Sequence, residues 1–310
     1  MRVIFMGTPD FAVPSLKTLV EAGNDVAAVF TQPDRPAGRG KELRPSPVKE
    51  AAQSLNLKVL QPERVKAVDA VQALRALKPE CIVVVAYGQI LSQEILYLPH
   101  WGCINVHASL LPAYRGAAPI HWAVMQGEPV TGVTTMQMDA GLDTGAMLLK
   151  AEYPIGADET TGEVHDALAA LGARLLVETL AGLEKGEVKP VPQAGATSYA
   201  SLLTREHERI QWEKEADAIH NQVRGLNPWP GAYTTFKGET IKIWKTRFLE
   251  SNTADTGTPG QVLRIEDDGI TVATGGGLVK LLEVQPAGKR RMAASDFFRG
   301  RHGGVGQGFE

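Results

Sequence analysis

The chain has 310 residues, 44% of them hydrophobic and 22% charged, with a formal net charge of −3. That length suffices for a sizeable core and two domains, and the composition excludes a disordered or fibrous chain. The mild acidity excludes a uniformly basic nucleic-acid binder while leaving room for a local basic patch. No apolar run reaches the about 20 residues that a membrane-spanning helix needs.

In chain order, Arg2–Met6 predicts a buried strand that turns at Gly7-Thr8-Pro9-Asp10, too short a run for a secretory leader. Phe11–Ala22 has helical spacing with Gly23 as its stop, and Val26–Thr31 is a second strand. A helix over Pro47–Leu55 is capped by Ser46. A short strand over Leu57–Leu60 follows, then a helix over Ala67–Leu77 closed by Pro79. The unbroken run Cys81–Ala86 predicts a strand covered on both faces. Cys103–Val106 is another strand, Ala118–Met125 a helix, and Val133–Met138 and Ala146–Ala151 a candidate strand pair. Thr161–Leu183 is a long amphipathic helix. Strands alternating with helices predict an α/β fold, a doubly wound, mostly parallel sheet with its site at the carboxyl ends of the strands. The stretch 189–198 is rich in Pro, Gly and Ser/Thr and reads as a linker. Beyond it come a helix over Glu215–Arg224 and short strands at Tyr233–Phe236, Ile241–Thr246, Gln261–Ile265, Ile270–Thr274 and Val279–Val284. That pattern predicts a small β-barrel or sandwich. A short helix, Ala294–Arg299, precedes a Gly-rich tail expected to be mobile.

Asn105 and His107 stand two apart at the end of a strand, so both point to one face. An amide donor beside an imidazole suits chemistry on a carbonyl, because the amide can stabilise an oxyanion and the imidazole can carry a proton near neutral pH. The spacing alone also suits a core histidine beside a turn residue. The turn 138–145 carries two carboxylates, Asp139 and Asp143, and either can orient His107, although Asp and Gly are also the expected residues of a hairpin turn. Cys81 and Cys103 lie in apolar runs and read as buried thiols, which fits a cytoplasmic protein. Gly275-Gly276-Gly277 opens no helix, Gly7-Thr8-Pro9-Asp10-Phe11 lacks the G-x-G-x-x-G spacing, and no His/Cys set has metal-ligand spacing, so neither dinucleotide nor metal is expected.

The segments Asn105-x-His107-x-Ser109-Leu110-Leu111-Pro112, Arg115-Gly116-Ala117-x-Pro119 and Asp139-x-Gly141-x-Asp143-x-Gly145 together resemble the formyltransferases that use 10-formyltetrahydrofolate. The resemblance implies a Rossmann-like formyltransferase fold with 10-formyltetrahydrofolate as formyl donor and no metal. It implies a catalytic set of Asn105, His107 and Asp143. It also implies a folate wall at Ser109, Leu110, Leu111 and Pro112, and a pterin-lining loop at Tyr87, Gly88 and Gln89. Between Phe30 and Lys49, five basic residues (Arg35, Arg39, Lys41, Arg44, Lys49) stand against only Asp34 and Glu42, in a Pro- and Gly-rich stretch expected to hold no regular element. A basic loop of this kind suits phosphate contacts. It resembles the loop inserted in those family members that act on methionyl-tRNA, which implies initiator methionyl-tRNA as acceptor, contacted by Arg35, Arg39, Lys41 and Arg44. Asn227-Pro228-Trp229-Pro230-Gly231-Ala232 and the stretch from Leu282 to Met292 resemble the second, OB-like domain of that branch. The expected division is a catalytic domain over 1–189, a linker over 190–205 and an OB-like tRNA-binding domain over 206–310. The expected protein is a cytoplasmic monomer with no membrane association.

Overall fold

The computed structural model describes residues 1–37, 42–249 and 257–310; Arg39 and Lys41 lie outside the described residues. The chain divides into two compact units. One comprises Met1–Gly116, Thr131–Tyr153 and His165–Tyr199, the other Ala117–Val130, Pro154–Val164 and Ala200–Glu310.

The first half of the chain runs β1 (Arg2–Gly7), α1 (Val13–Glu21), β2 (Asp25–Phe30), β3 (Arg35–Ala37), β4 (Glu42–Arg44), α2 (Pro47–Ser54), β5 (Val59–Leu60), α3 (Val68–Ala76), β6 (Cys81–Val85), α4 (Gln93–Leu96), β7 (Cys103–His107), β8 (Arg115–Gly116), α5 (Pro119–Met125), β9 (Val130–Gln137), β10 (Met147–Pro154) and α6 (Thr161–Glu184). A seven-stranded sheet has the order β10-β9-β7-β6-β1-β2-β5. Its members from β7 to β5 are parallel to their neighbours, and β9 runs antiparallel to β7. This is the doubly wound, mostly parallel sheet expected from the alternation of elements.

The continuous apolar strands behave as their composition requires. Every residue of β6 is buried, and only Arg2 of β1 is exposed. Ile4 and Met6 share one core with Ala28, Phe30, Ile82 and Val84, while the intervening Val3, Phe5 and Val83 are buried on the opposite face. Ser46 caps α2, its Oγ accepting the Lys49 N–H at 3.0 Å. The helix expected from Phe11 begins instead at Val13, after a 3₁₀ turn at Asp10–Ala12; Pro14 in the first turn suits that start.

The basic stretch holds more regular structure than its composition suggests. β3 and β4 form a short antiparallel ribbon in which Arg35 stands opposite Arg44 and Pro36 opposite Leu43. A two-stranded ribbon has only edge strands, where proline is tolerated.

The rest of the chain runs β11 (Tyr199–Ala200), α7 (Arg205–Glu208), α8 (Ala216–Gly225), β12 (Ala232–Phe236), β13 (Glu239–Leu249), β14 (Val262–Glu266), β15 (Gly269–Ala273), β16 (Leu278–Pro286), β17 (Met292–Ala293) and α9 (Ala294–Gly300). An antiparallel sheet has the order β12-β13-β16-β15-β14, with β17 on β16. The Gly-rich tail, expected to be mobile, is fixed to both edges of this sheet. At β14, the Val262 N–H donates to the Gln307 carbonyl and the Gly306 N–H to the Val262 carbonyl, each at 2.8 Å. At β12, Thr235 and Glu310 exchange N–H···O bonds of 2.9 and 2.8 Å. The tail thereby closes the sheet across its two open edges. Phe309 is buried beside Trp212, Phe236 and Phe298, which adds apolar burial to the backbone bonds.

Candidate active site

β7 lies between β6, its parallel neighbour, and β9, its antiparallel one. His107 is its last residue, at the carboxyl end where α/β sheets keep their ligand sites. Opposite it on β9 is Thr134, and opposite Asn105 is Met136. Asn105 is half-buried, and His107 is 6% exposed.

The surroundings of His107 assign its two nitrogens. Nε2 lies 3.0 Å from the carbonyl oxygen of Tyr114. A carbonyl only accepts, so Nε2 carries the hydrogen and donates it there. Nδ1 faces the Oδ2 atom of Asp143 at 3.7 Å. That same oxygen accepts the Gly116 N–H at 2.8 Å. Nδ1 is therefore the ring nitrogen turned toward the Asp143 carboxylate, while Nε2 is engaged by the Tyr114 carbonyl.

The two carboxylates of the 138–145 turn do different work. Asp139 Oδ1 accepts the Gly141 N–H at 3.0 Å and the Thr144 hydroxyl at 2.6 Å, which closes the turn on itself. Asp143 is the one that reaches the imidazole. Its backbone has φ of 51°, a left-handed conformation that costs a non-glycine residue energy and must be held by its neighbours. Gly145 has no alternative residue, since a Cβ there would stand 1.8 Å from the Gln137 carbonyl oxygen.

The strip after β7 is anchored mostly through its own backbone. Ser109 is fully buried, and its hydroxyl donates to the Ala113 carbonyl at 2.6 Å. Thr134 Oγ1 donates to the Ser109 carbonyl at 2.7 Å and accepts the Leu111 N–H at 3.1 Å. Lys150 Nζ donates to the Leu111 carbonyl. Leu111 is buried, whereas Leu110 and Pro112 keep partial exposure.

The loop after β6 is held in the same manner. The Tyr87 ring is in the core with Ile4, Met6 and Ile82, and burial pushes its phenol up to about 12. The Tyr87 carbonyl accepts from the Thr8 hydroxyl at 2.8 Å and from Gln32 Nε2 at 3.2 Å. Gln89 accepts the Val65 N–H at 2.7 Å and donates to the Pro62 carbonyl at 3.1 Å. Gly88, with φ of 87°, is exposed between them.

Among the basic residues, Lys49 is taken up by Asp34, 2.6 Å away, and that hydrogen bond holds the Asp34 carboxyl below its ordinary value. Arg35 and Arg44 are exposed. Tyr114, Thr134, Lys150, Gln193 and Ser198 also build the site, and no sequence signal singled them out. Most of them act on or through backbone atoms, which leave no mark in residue type. No helix among the described residues is long and apolar enough to cross a membrane.

Comparison with known proteins agrees with this architecture. The sequence profile of the formyl transferase family matches residues 1–180, and that of the formyl transferase C-terminal domain matches residues 202–302. A methionyl-tRNA formyltransferase of Pelotomaculum thermopropionicum is 56% identical over 97% of this chain and 96% of its own length. Another from Desulforamulus reducens is 52% identical over 100% of this chain and 98% of its own. Among solved structures, the sugar N-formyltransferase WlaRD, crystallised with dTDP and 5-N-formyl-THF, shares the fold at a TM-score of 0.67 and 18% identity, covering 94% of this chain and 99% of that one. HypX from Aquifex aeolicus in complex with tetrahydrofolic acid does so at 0.64 and 18%, covering 98% of this chain and 48% of that one. With two profiles and full-length relatives above half identity in agreement, the chain belongs to the methionyl-tRNA formyltransferase family.

Proposed function

We propose that this protein transfers the formyl group of 10-formyltetrahydrofolate to the α-amine of initiator methionyl-tRNA, giving N-formylmethionyl-tRNA for translation initiation, and that Asn105, His107 and Asp143 perform the transfer. The observation that carries this reading is the approach of His107 Nδ1 to Asp143 at the end of β7, on the strand whose alternation puts Asn105 on the same face.

The neutral amine attacks the formyl carbon, a C–N bond forms, and the carbonyl oxygen becomes an oxyanion. The Asn105 amide donates to that oxygen; removal of one such donor typically costs about 3–4 kcal/mol of barrier. His107 takes the proton that the amine sheds, at Nδ1, where the Asp143 carboxylate stabilises the imidazolium. As the bond to N10 breaks and the carbonyl re-forms, His107 returns the proton, through water, to N10. The products are the formylated amine and tetrahydrofolate. Folate lies against Ser109, Leu110, Leu111 and Pro112 and against the backbone of Tyr87, Gly88 and Gln89.

The tRNA is held by Arg35, Arg39, Lys41 and Arg44 and by the C-terminal domain, 206–310, joined through 190–205 to the catalytic part, 1–189. Arg35 and Arg44 face each other across the β3/β4 ribbon. Like charges so placed repel, and a phosphate between them relieves that repulsion. In the second unit the Arg291 guanidinium lies over the buried Trp244 ring, 3.8 Å from its centroid, and its exposed part is suited to meeting a phosphate. The protein acts as a cytoplasmic monomer.

Single-turnover formylation tests the assignment. Asn105→Ala, His107→Ala and Asp143→Asn should each slow it by roughly 10²–10³-fold. Near-normal rates in all three variants would overturn it.

A further inference from the structure

The stretch that composition reads as a linker forms part of the wall around the His107 site. Val191 and Met147 exchange N–H···O bonds of 2.8 Å, so the segment adds to the edge of β10 before reaching the 143–145 turn. Ser198 then fixes the 114–116 strip: its hydroxyl accepts the Tyr114 N–H and its carbonyl the Arg115 N–H, each at 2.9 Å.

Between these two anchors, Gln193 is half-buried in an otherwise exposed neighbourhood. Its Nε2 donates to the Asp143 carbonyl at 2.7 Å and to the Gly145 carbonyl at 2.8 Å. Its Oε1 accepts from Arg115 Nε at 3.1 Å and Nη2 at 2.6 Å. One amide thus joins the strained turn that carries Asp143 to the residue flanked by Tyr114 and Gly116. Those two flanking residues supply the carbonyl that binds His107 Nε2 and the N–H that binds Asp143 Oδ2. Only a carboxamide has two N–H donors for the carbonyls together with an acceptor for the guanidinium; a glutamate lacks the donors and a lysine the acceptor.

We propose that Gln193 is a positioning residue for formyl transfer, holding the Asp143 turn and the Tyr114–Gly116 strip in register so that both meet His107. The inference rests on the proposed roles of His107 and Asp143. It predicts that loss of the amide impairs the chemical step rather than the binding of either substrate, since a misplacement of about 1 Å can cost on the order of 10²-fold in rate.

The test is single-turnover formylation of methionyl-tRNA by full-length Gln193→Met and Gln193→Glu, each made in the native protein and in the Asp143→Asn background, with folate affinity and thermal melting measured alongside. In the native background, Gln193→Met should slow turnover by about 10–10²-fold, with KM for both substrates within about 2-fold. Gln193→Glu should be no better, because it keeps the acceptor for Arg115 but loses both donors. In the Asp143→Asn background, Gln193→Met should cost several-fold less than in the native protein, because the carboxylate it positions is already gone and only its hold on the Tyr114–Gly116 strip is lost. An equal loss in both backgrounds, a change confined to KM, or full rescue by glutamate overturns the proposal. A near-native rate for Asp143→Asn alone instead removes the proposed role of Asp143, on which this inference rests, and the inference with it. Should Gln193→Met not fold, the near-isosteric Gln193→Glu carries the same comparison between backgrounds.

Discussion

His107 and His220 show how surroundings give one side chain opposite work. His107 has a carbonyl acceptor on one nitrogen and a carboxylate facing the other. His220 is 8% exposed, with Nδ1 2.9 Å from the Thr246 hydroxyl and Nε2 3.3 Å from the Ala157 carbonyl. Burial pushes His220 below its ordinary value of 6.5, and the Arg224 cation adds to the effect, while the Ala157 carbonyl and the Asp158 carboxylate oppose it. A histidine depressed in the folded state contributes stability that is fully present above its unfolded value. That contribution is lost as pH falls through the lower folded value, because the unfolded chain binds the proton first. The unfolding midpoint of the protein should therefore drop on acidification below about pH 6.5, and His220→Gln should flatten that dependence. Identical pH slopes for the two proteins in thermal melts would contradict it. The shared face of Asn105 and His107 was legible because a strand places alternate residues on one face. The choice of Asp143 over Asp139 came from resemblance, and its physical reason, that Asp139 spends its carboxylate closing its own turn, appears only in three dimensions.

The clearest element-level case is the tail. Its glycines suggest freedom, yet Gly306, Gln307, Phe309 and Glu310 bond to Val262, Gly260 and Thr235 through main-chain atoms. Backbone bonds are indifferent to side-chain type, so composition could not announce them; Phe309, a lone aromatic among glycines, was the available clue. Replacing it with alanine should cost about 3–5 kcal/mol, as for other buried phenylalanines, and lower the melting temperature markedly. An unchanged melting temperature would show that the tail adds nothing to the sheet it closes. The same reasoning explains the segment 191–198, whose anchors are again chiefly carbonyls and N–H groups. By contrast, β1 and β6 were readable at once, since an unbroken apolar run can be satisfied only by a strand covered on both faces.

At the scale of the whole molecule, the reaction and its acceptor are written in different parts of the chain. On the proposed reading the carbonyl chemistry belongs to β7 and the strip after it, with Asp143 brought to His107 by the turn ahead of β10. On the proposed reading, the groups that meet the tRNA are the opposed arginines of the β3/β4 ribbon and the part-exposed Arg291 guanidinium of the second unit. A formyltransferase acting on a small amine needs the first set and has no use for the second. Purified protein should therefore be incubated with 10-formyltetrahydrofolate and methionyl-tRNA of the initiator or elongator kind, and the deacylation-resistant formylmethionyl-tRNA measured. The account predicts rapid formylation of the initiator and much slower formylation of the elongator. Release of free formate without formylated tRNA, or equal formylation of a free small amine, would contradict it.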